Sequence, residues 1–308
     1  NVFQTDAPSI VLEGTENIPA WTDNNDNTFE VAVPYATWKN WVGKDYVVSA
    51  ATGNEIAVNN RVSFGTADVK VGVNADPAKK DADQTQTITV YSQSLTPNTS
   101  YTGTKAYTFT ITYEAARDEA LLTSLDNDIA TVTGTTIEVK DSDLSINEFM
   151  ANFKVSAGAD AKWTFVNAQG EVAEKDYFQT MQNVKEFTAV VTAEDGTSVT
   201  YLSKQIVDAQ DAARTEVNSV AESDYFKWDV YVGTSGGTVQ ANQLPAVQEA
   251  LTKLYADLNA ATTVEDAKAI EDNAQATLKA ALKEALYARA EELLGGRSPS
   301  WSEDDPIC

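Results

Sequence analysis

Residues 54–75, NEIAVNNRVSFGTADVKVGVNA, return without a gap as residues 147–168, NEFMANFKVSAGADAKWTFVNA. Nine of the 22 aligned positions are identical, among them Asn54/Asn147, Glu55/Glu148, Gly65/Gly158 and the Val-Asn-Ala triplets at 73–75 and 166–168. An internal copy at a spacing of 93 residues, in a chain rich in strand signals, predicts serial β domains rather than one catalytic body.

The flanking sequence supports that reading. Val69, Val71 and Val73 alternate with Lys70 and Gly72, the period of a half-buried strand. Residues 87–91 alternate again. Tyr107, Phe109, Ile111 and Tyr113 then point one way while Thr108, Thr110 and Thr112 point the other, which marks a closing strand. The second copy adds strands near 135–139, 152–155 and 163–166. It ends in two strand-like runs, 187–193 and 198–207, joined through Asp195-Gly196. Asp-Gly in that position signals a hairpin, because glycine accepts the positive φ that tight turns need. Two β-sandwiches follow, over 1–114 and 115–208.

Residues 187–201, FTAVVTAEDGTSVTY, resemble the closing hairpin of bacterial cadherin-like and Ig-like β-sandwich repeats. The pattern Val-Thr-Ala-x-Asp-Gly-Thr-x-x-x-Tyr runs here from Val191 to Tyr201. The resemblance covers the second copy and reaches the first through the repeat. It implies Ig/cadherin-like sandwiches of the kind found in surface layers, adhesins, cell-wall proteins and phage particles.

Beyond residue 208 the pattern turns helical. Residues 209–221 form a short helix, and 226–240 insert a hairpin in which Trp228, Val230 and Val232 alternate. A helix then starts near Pro245, with Val247, Leu251, Leu254, Tyr255 and Leu258 on one face. Another opens on the capping pattern Thr263-Val-Glu-Asp266 and carries Ala267, Ile270, Ala274, Leu278, Leu282 and Leu286 to a stop at Gly295-Gly296. Neither buries its stripe alone. Together they predict an antiparallel hairpin packed on helix 209–221 or on a neighbouring subunit, within a helical region over 209–296 that precedes a polar tail, 297–308.

Composition removes whole classes of chemistry. The 308 residues contain no histidine, and the single cysteine is Cys308. Histidine bases, histidine metal sites, Cys–His nucleophiles and intrachain disulfides are therefore excluded. With 46 acidic and 22 basic residues the formal charge is −24, which repels nucleic acid and anionic lipid. No stretch is apolar for long enough to insert in a membrane. The chain begins with Asn1, as expected of a fragment or of a chain that has lost a leader. One glycosylation sequon, Asn98-Thr-Ser100, is near chance expectation.

Carboxylates are the remaining reactive groups. Asp23, Asn25 and Asp26 form an oxygen-rich run without the glycine and bidentate glutamate of an EF-hand; Asp126/Asp128 and Asp141/Asp143 are pairs near strand ends. These are candidate calcium ligands, with solvated Asx turns as the alternative. Trp38 and Trp41, three apart, are candidate contact residues, for a partner or a sugar, as are Leu251, Leu254, Leu258, Leu278 and Leu282 on the helices; core packing is the competing reading. No cofactor is required, and calcium is the one candidate. The expectation is a non-catalytic extracellular or cell-surface structural protein that assembles with itself into a layer, array or filament. A virion structural or decoration protein is the alternative, with another surface or virion protein as partner. A carbohydrate- or calcium-dependent adhesin module is the second alternative.

Overall fold

Strict alternation builds the two longest strands of the chain. Gln86, Ile88, Val90 and Ser92 turn inward on an eleven-residue strand; Tyr107, Phe109, Ile111 and Tyr113 do so on the nine-residue strand beside it. A computed structural model describes residues 7–14, 18–96, 103–232 and 237–295. Asn1, the sequon at Asn98, the turn 233–236 and the tail with Cys308 lie outside the described residues. The chain is mainly β, with several sandwich-like sheets and C-terminal helices. It divides into two compact units: residues 1–120 with 156–160 and 192–198, and residues 121–155, 161–191 and 199–308. The helical region is thus counted with the second unit.

The first unit begins with β1 (Ser9–Leu12), β2 (Thr22–Asp23) and β3 (Thr28–Val33), then one turn of helix, α1 (Tyr35–Trp38). There follow β4 (Asp45–Ser49), β5 (Asn54–Val58), β6 (Val69–Gly72), β7 (Gln84–Ser94) and β8 (Lys105–Tyr113). One sheet has the order β1-β4-β6 and the other β2-β3-β8-β7-β5. All pairings are antiparallel except β3 with β8, which run parallel in register from Thr28↔Thr108 to Val33↔Tyr113. Their inner faces share one core, including Leu12, Val33, Trp38, Tyr46, Ile88, Ile111 and Tyr113.

The second unit has β9 (Leu122–Ser124), the hairpin of β10 (Ala130–Thr133) and β11 (Thr136–Val139), and helix α2 (Ile146–Ala151). Next come β12 (Phe153–Val155), β13 (Asp160–Asn167), β14 (Gly170–Glu171), β15 (Glu186–Thr192) and β16 (Ser198–Ser203). β9 pairs with β12, and the main sheet has the order β10-β11-β16-β15-β13-β14 with β11 parallel to β16. At the turn before β16, in the 192–198 stretch counted with the first unit, the Gly196 amide donates to the Ala193 carbonyl (3.0 Å) and Gly196 has φ 95°, while Asp195 stays at negative φ. This is the longer hairpin in which one glycine takes the left-handed position.

The strand plan is therefore laid down twice. In each case an early strand pairs with the strand after the helix (β1 with β4, β9 with β12), and a second early strand runs parallel to the last strand. The order β3-β8-β7-β5 matches β11-β16-β15-β13. The repeated sequence does not follow this plan. Asn54–Val58 is strand β5, whereas its partner 147–151 lies in α2, so the 93-residue register sets a strand on a helix.

Single residues explain the divergence. Ser145 and Glu148 form a reciprocal capping box that starts α2. Thr52 and Glu55 hold the equivalent positions, but Gly53 between them sits at φ 83° and turns the chain into a strand.

Helix α3 (Lys204–Ala221) follows β16 directly, and a hairpin of β17 (Asp229–Val232) and β18 (Gly237–Gln240) precedes α4 (Pro245–Ala260) and α5 (Val264–Leu293). Thr263 accepts a hydrogen bond from the Asp266 amide (3.0 Å) and so caps α5. The three helices and the hairpin enclose their own core around Val217, Phe226, Val247, Leu258, Ala274 and Leu278.

Candidate functional site

Pro34 ends β3 and leads into α1, which tightens at once into a 3-10 turn, Lys39–Trp41. That short bend aims both tryptophans inward. Trp38 is fully buried, its indole N–H donating to the Glu114 carbonyl at 2.8 Å and its ring meeting Tyr35 and Tyr113 edge-on. Trp41 is 2% exposed and lies edge-on to Tyr46. This corrects the expectation that they form a contact surface. Covering both faces of an indole while matching its N–H is the favourable arrangement, and it leaves nothing to present.

The helical leucines are placed likewise. Leu254, Leu258, Leu278 and Leu282 are buried among α3, α4 and α5, and Leu251 packs half-buried against them. Helix α3 supplies the cover that the two-helix stripe demanded, so these four are corrected from contact residues to core.

Asp23, Asp26, Asp126 and Asp141 each close a local turn. Asp23 accepts from the Asn25 amide at 2.8 Å, Asp126 from the Asp128 amide at 2.9 Å, and Asp141 from the Asp143 amide at 2.9 Å. Thr28 donates its hydroxyl and amide to Asp26, which holds that carboxyl below its ordinary range. Gln182 donates to Asp143. Asn25 and Asn27 take left-handed φ values of 63° and 68°, as short polar residues tolerate in Asx turns. Among the described residues, no three His, Cys, Asp or Glu side chains gather in a way that could hold a metal.

The most concentrated polar chemistry lies in the first core, where sequence reading did not place it. Tyr113 donates to Gln86 Oε1 (2.6 Å), and the Tyr46 and Tyr113 hydroxyls are 2.9 Å apart. Since the single Tyr113 proton goes to Gln86, Tyr46 must donate to Tyr113. Gln86 Oε1 also accepts from the Asn74 amide (3.1 Å), and its Nε2 donates to the Gly72 carbonyl (2.8 Å). Gln84 repeats the device two residues away, accepting from the Asp76 amide and donating to the Asp76 carbonyl, both at 2.8 Å. The two amides thus act as an extra strand along 72–76 and stitch β6 of one sheet to β7 of the other.

Burial pushes the Tyr113 phenol up to about 12. Tyr46 is raised further, by burial first and then by its hydrogen bond to Tyr113. Neither ionises in the ordinary range, so the network serves as cement. Its sequence signal is period-two phase: Gln84 and Gln86 share the face of Ile88 and Val90.

One sheet edge, β5, is also closed locally. Along β5, Ile56 exchanges both backbone bonds with Gly65 (2.8 and 3.0 Å), the Asn54 amide donates to Ala51, and the Val58 carbonyl accepts from Arg61. This is a managed edge. What remains outward is a set of apolar side chains, led by Val62 (fully exposed), Phe178 (72%) and Leu125 (64%). A scan against protein-family models and a search of curated protein sequences give no match to this chain.

Proposed function

We propose that this chain is a non-catalytic structural protein of an extracellular surface, built from Ig/cadherin-like sandwiches that assemble through subunit contacts into a layer, array or filament. One observation carries the reading: the same strand plan occurs twice, and the side chains able to do chemistry are spent on holding it. Trp38 and Trp41 fill the core, Asp23, Asp26, Asp126 and Asp141 close turns, and Tyr46, Tyr113, Gln84 and Gln86 join the sheets. The acidic surface keeps such a body soluble and away from nucleic acid.

Contacts between subunits are assigned to exposed apolar side chains, Phe178 and Leu125 first, rather than to the β5 edge, which is satisfied within the chain. Calcium would bridge acidic turns of neighbouring subunits, since among the described residues of one copy no acidic cluster is assembled to chelate it.

The test is the mass of the purified protein by light scattering, in EDTA and then with calcium. Large, regular species that Phe178→Ser disperses support the proposal. A monomer under both conditions overturns self-assembly and turns attention to a decoration or adhesin role with a different partner.

A further inference from the structure

Two features of the first unit decide how it meets tension along the chain: the length of the β3–β8 ladder and its parallel sense. The six residue pairs from Thr28↔Thr108 to Val33↔Tyr113 are extended at either end by the Thr108 amide donating to Asn27 (3.0 Å) and the Glu114 amide donating to Val33 (2.9 Å). The chain enters this ladder at Thr28 and leaves it at Tyr113. Because the strands are parallel, those points lie at opposite ends of the ladder. Tension along the chain therefore shears it, and every bond must fail together. Pulled from a single end, the same bonds would open one after another.

Ahead of the ladder, among the described residues, stand β1 with four residue pairs and β2 with two. In the second unit the corresponding parallel pairing, β11 with β16, has two pairs, Thr136↔Leu202 and Ile137↔Ser203, and one flanking bond from the Leu202 amide to Thr135.

We propose that the first unit is the tension-bearing element of this chain and that the second unit yields before it. The chain is then a graded tether: moderate load lengthens it through the second unit while the first keeps its fold. Resistance to load is a rate set by the barrier, not by equilibrium stability, so the two units need not differ in stability for this to hold. The inference goes beyond assembly and is tested on single molecules, so failure to assemble does not affect it.

The experiment is force spectroscopy on the full chain held through Ala7→Cys and Gln205→Cys, both exposed, with Cys308→Ser removing the native thiol, so that the helices beyond β16 bear no load. Opening the ladder-protected stretches 136–203 and 28–113 releases about 240 Å and about 300 Å of contour respectively, which identifies each event. The smaller release is expected first, at the lower force. In a second molecule, handles at Asp26→Cys and Ala106→Cys, both exposed and both at one end of the ladder, pull it open as a zipper. The first unit should then open at a several-fold lower force with the fold unchanged. A larger release that comes first, or equal forces in the two pulling geometries, would overturn the proposal.

Discussion

The two units share a strand plan and differ in what holds it. The first relies on long ladders and a polar seam: eleven- and nine-residue strands, six parallel pairs, and the Tyr46–Tyr113–Gln86 chain fixing one sheet to the other. The second has short strands around a knot of rings. Phe149 lies within 5.1–6.4 Å of Phe153, Trp163, Phe165 and Phe187, centre to centre. It also leans on its helices: the buried Glu186 carboxylate of β15 accepts from the Val264 amide at the start of α5 (2.8 Å). The first core is itself rich in rings, with Trp21, Phe29, Trp38, Trp41 and Phe109 packed in it, so the two units differ in ladder length and polar seam rather than in aromatic mass.

Removing the central ring should give the largest effect. Phe149→Ala is expected to destabilise the second unit by about 3–5 kcal/mol, with the first unit's transition unmoved in urea unfolding followed by hydrogen exchange. A joint loss would show that the units are one cooperative body. In the first unit, Gln86→Ala leaves Tyr113, the Asn74 amide and the Gly72 carbonyl without their partner, at a cost of about 2–3 kcal/mol. The direction of the hydrogen-bond chain sharpens this. Tyr113→Phe strands Tyr46 and should cost about 1–3 kcal/mol, whereas Tyr46→Phe removes only the end of the chain, about 0.5–1.5 kcal/mol. Equal costs would mean the chain runs the other way.

Alkali should separate the units as well. With folded-state values raised, Tyr46 and Tyr113 stay protonated while the unfolded chain ionises near 10. The first unit is at full stability below that pH and should lose about 1.4 kcal/mol per pH unit per tyrosine above it, the Tyr113 share ending near pH 12, where it ionises in the fold. In the second unit burial raises Tyr177, edge-on to Phe165, and Tyr255 on α4, each by less than the first-unit pair, so its loss should be smaller. The smallest effect is expected from Ser145→Ala, about 1 kcal/mol through the cap of α2, read as a shift in the second unit's midpoint.

Local chemistry made much of this fold legible. Alternation located β7 and β8, the Thr263 cap and Pro245 located α5 and α4, and Asp195-Gly196 located the last hairpin. Where one local pattern admits two structures, sequence was insufficient. Asn-Glu followed by apolar residues is a strand after Gly53 and a helix after Ser145, so the repeat pointed to two related bodies through the wrong register. Ile206 and Val207 look like strand continuation, yet Ile206 is buried on the face of α3 that also carries Ala213 and Val217. Trp38 and Trp41 were ambiguous because an indole suits a core as well as a surface. The Gln84–Gln86 seam escaped notice because a polar residue in apolar phase acquires meaning only once its backbone partners, 72–76, are known to pass beside it.

Native-state hydrogen exchange on the intact chain tests the contrast between the units most directly. The Thr108 and Glu114 amides, which close the β3–β8 ladder, should exchange only when the whole first unit opens. The Leu202 amide, on the two-pair ladder of the second unit, should exchange through smaller openings and with a lower denaturant dependence. Equal protection at the three sites, or faster exchange at Thr108 and Glu114, would contradict the division of roles between a long-laddered unit and a short-laddered one.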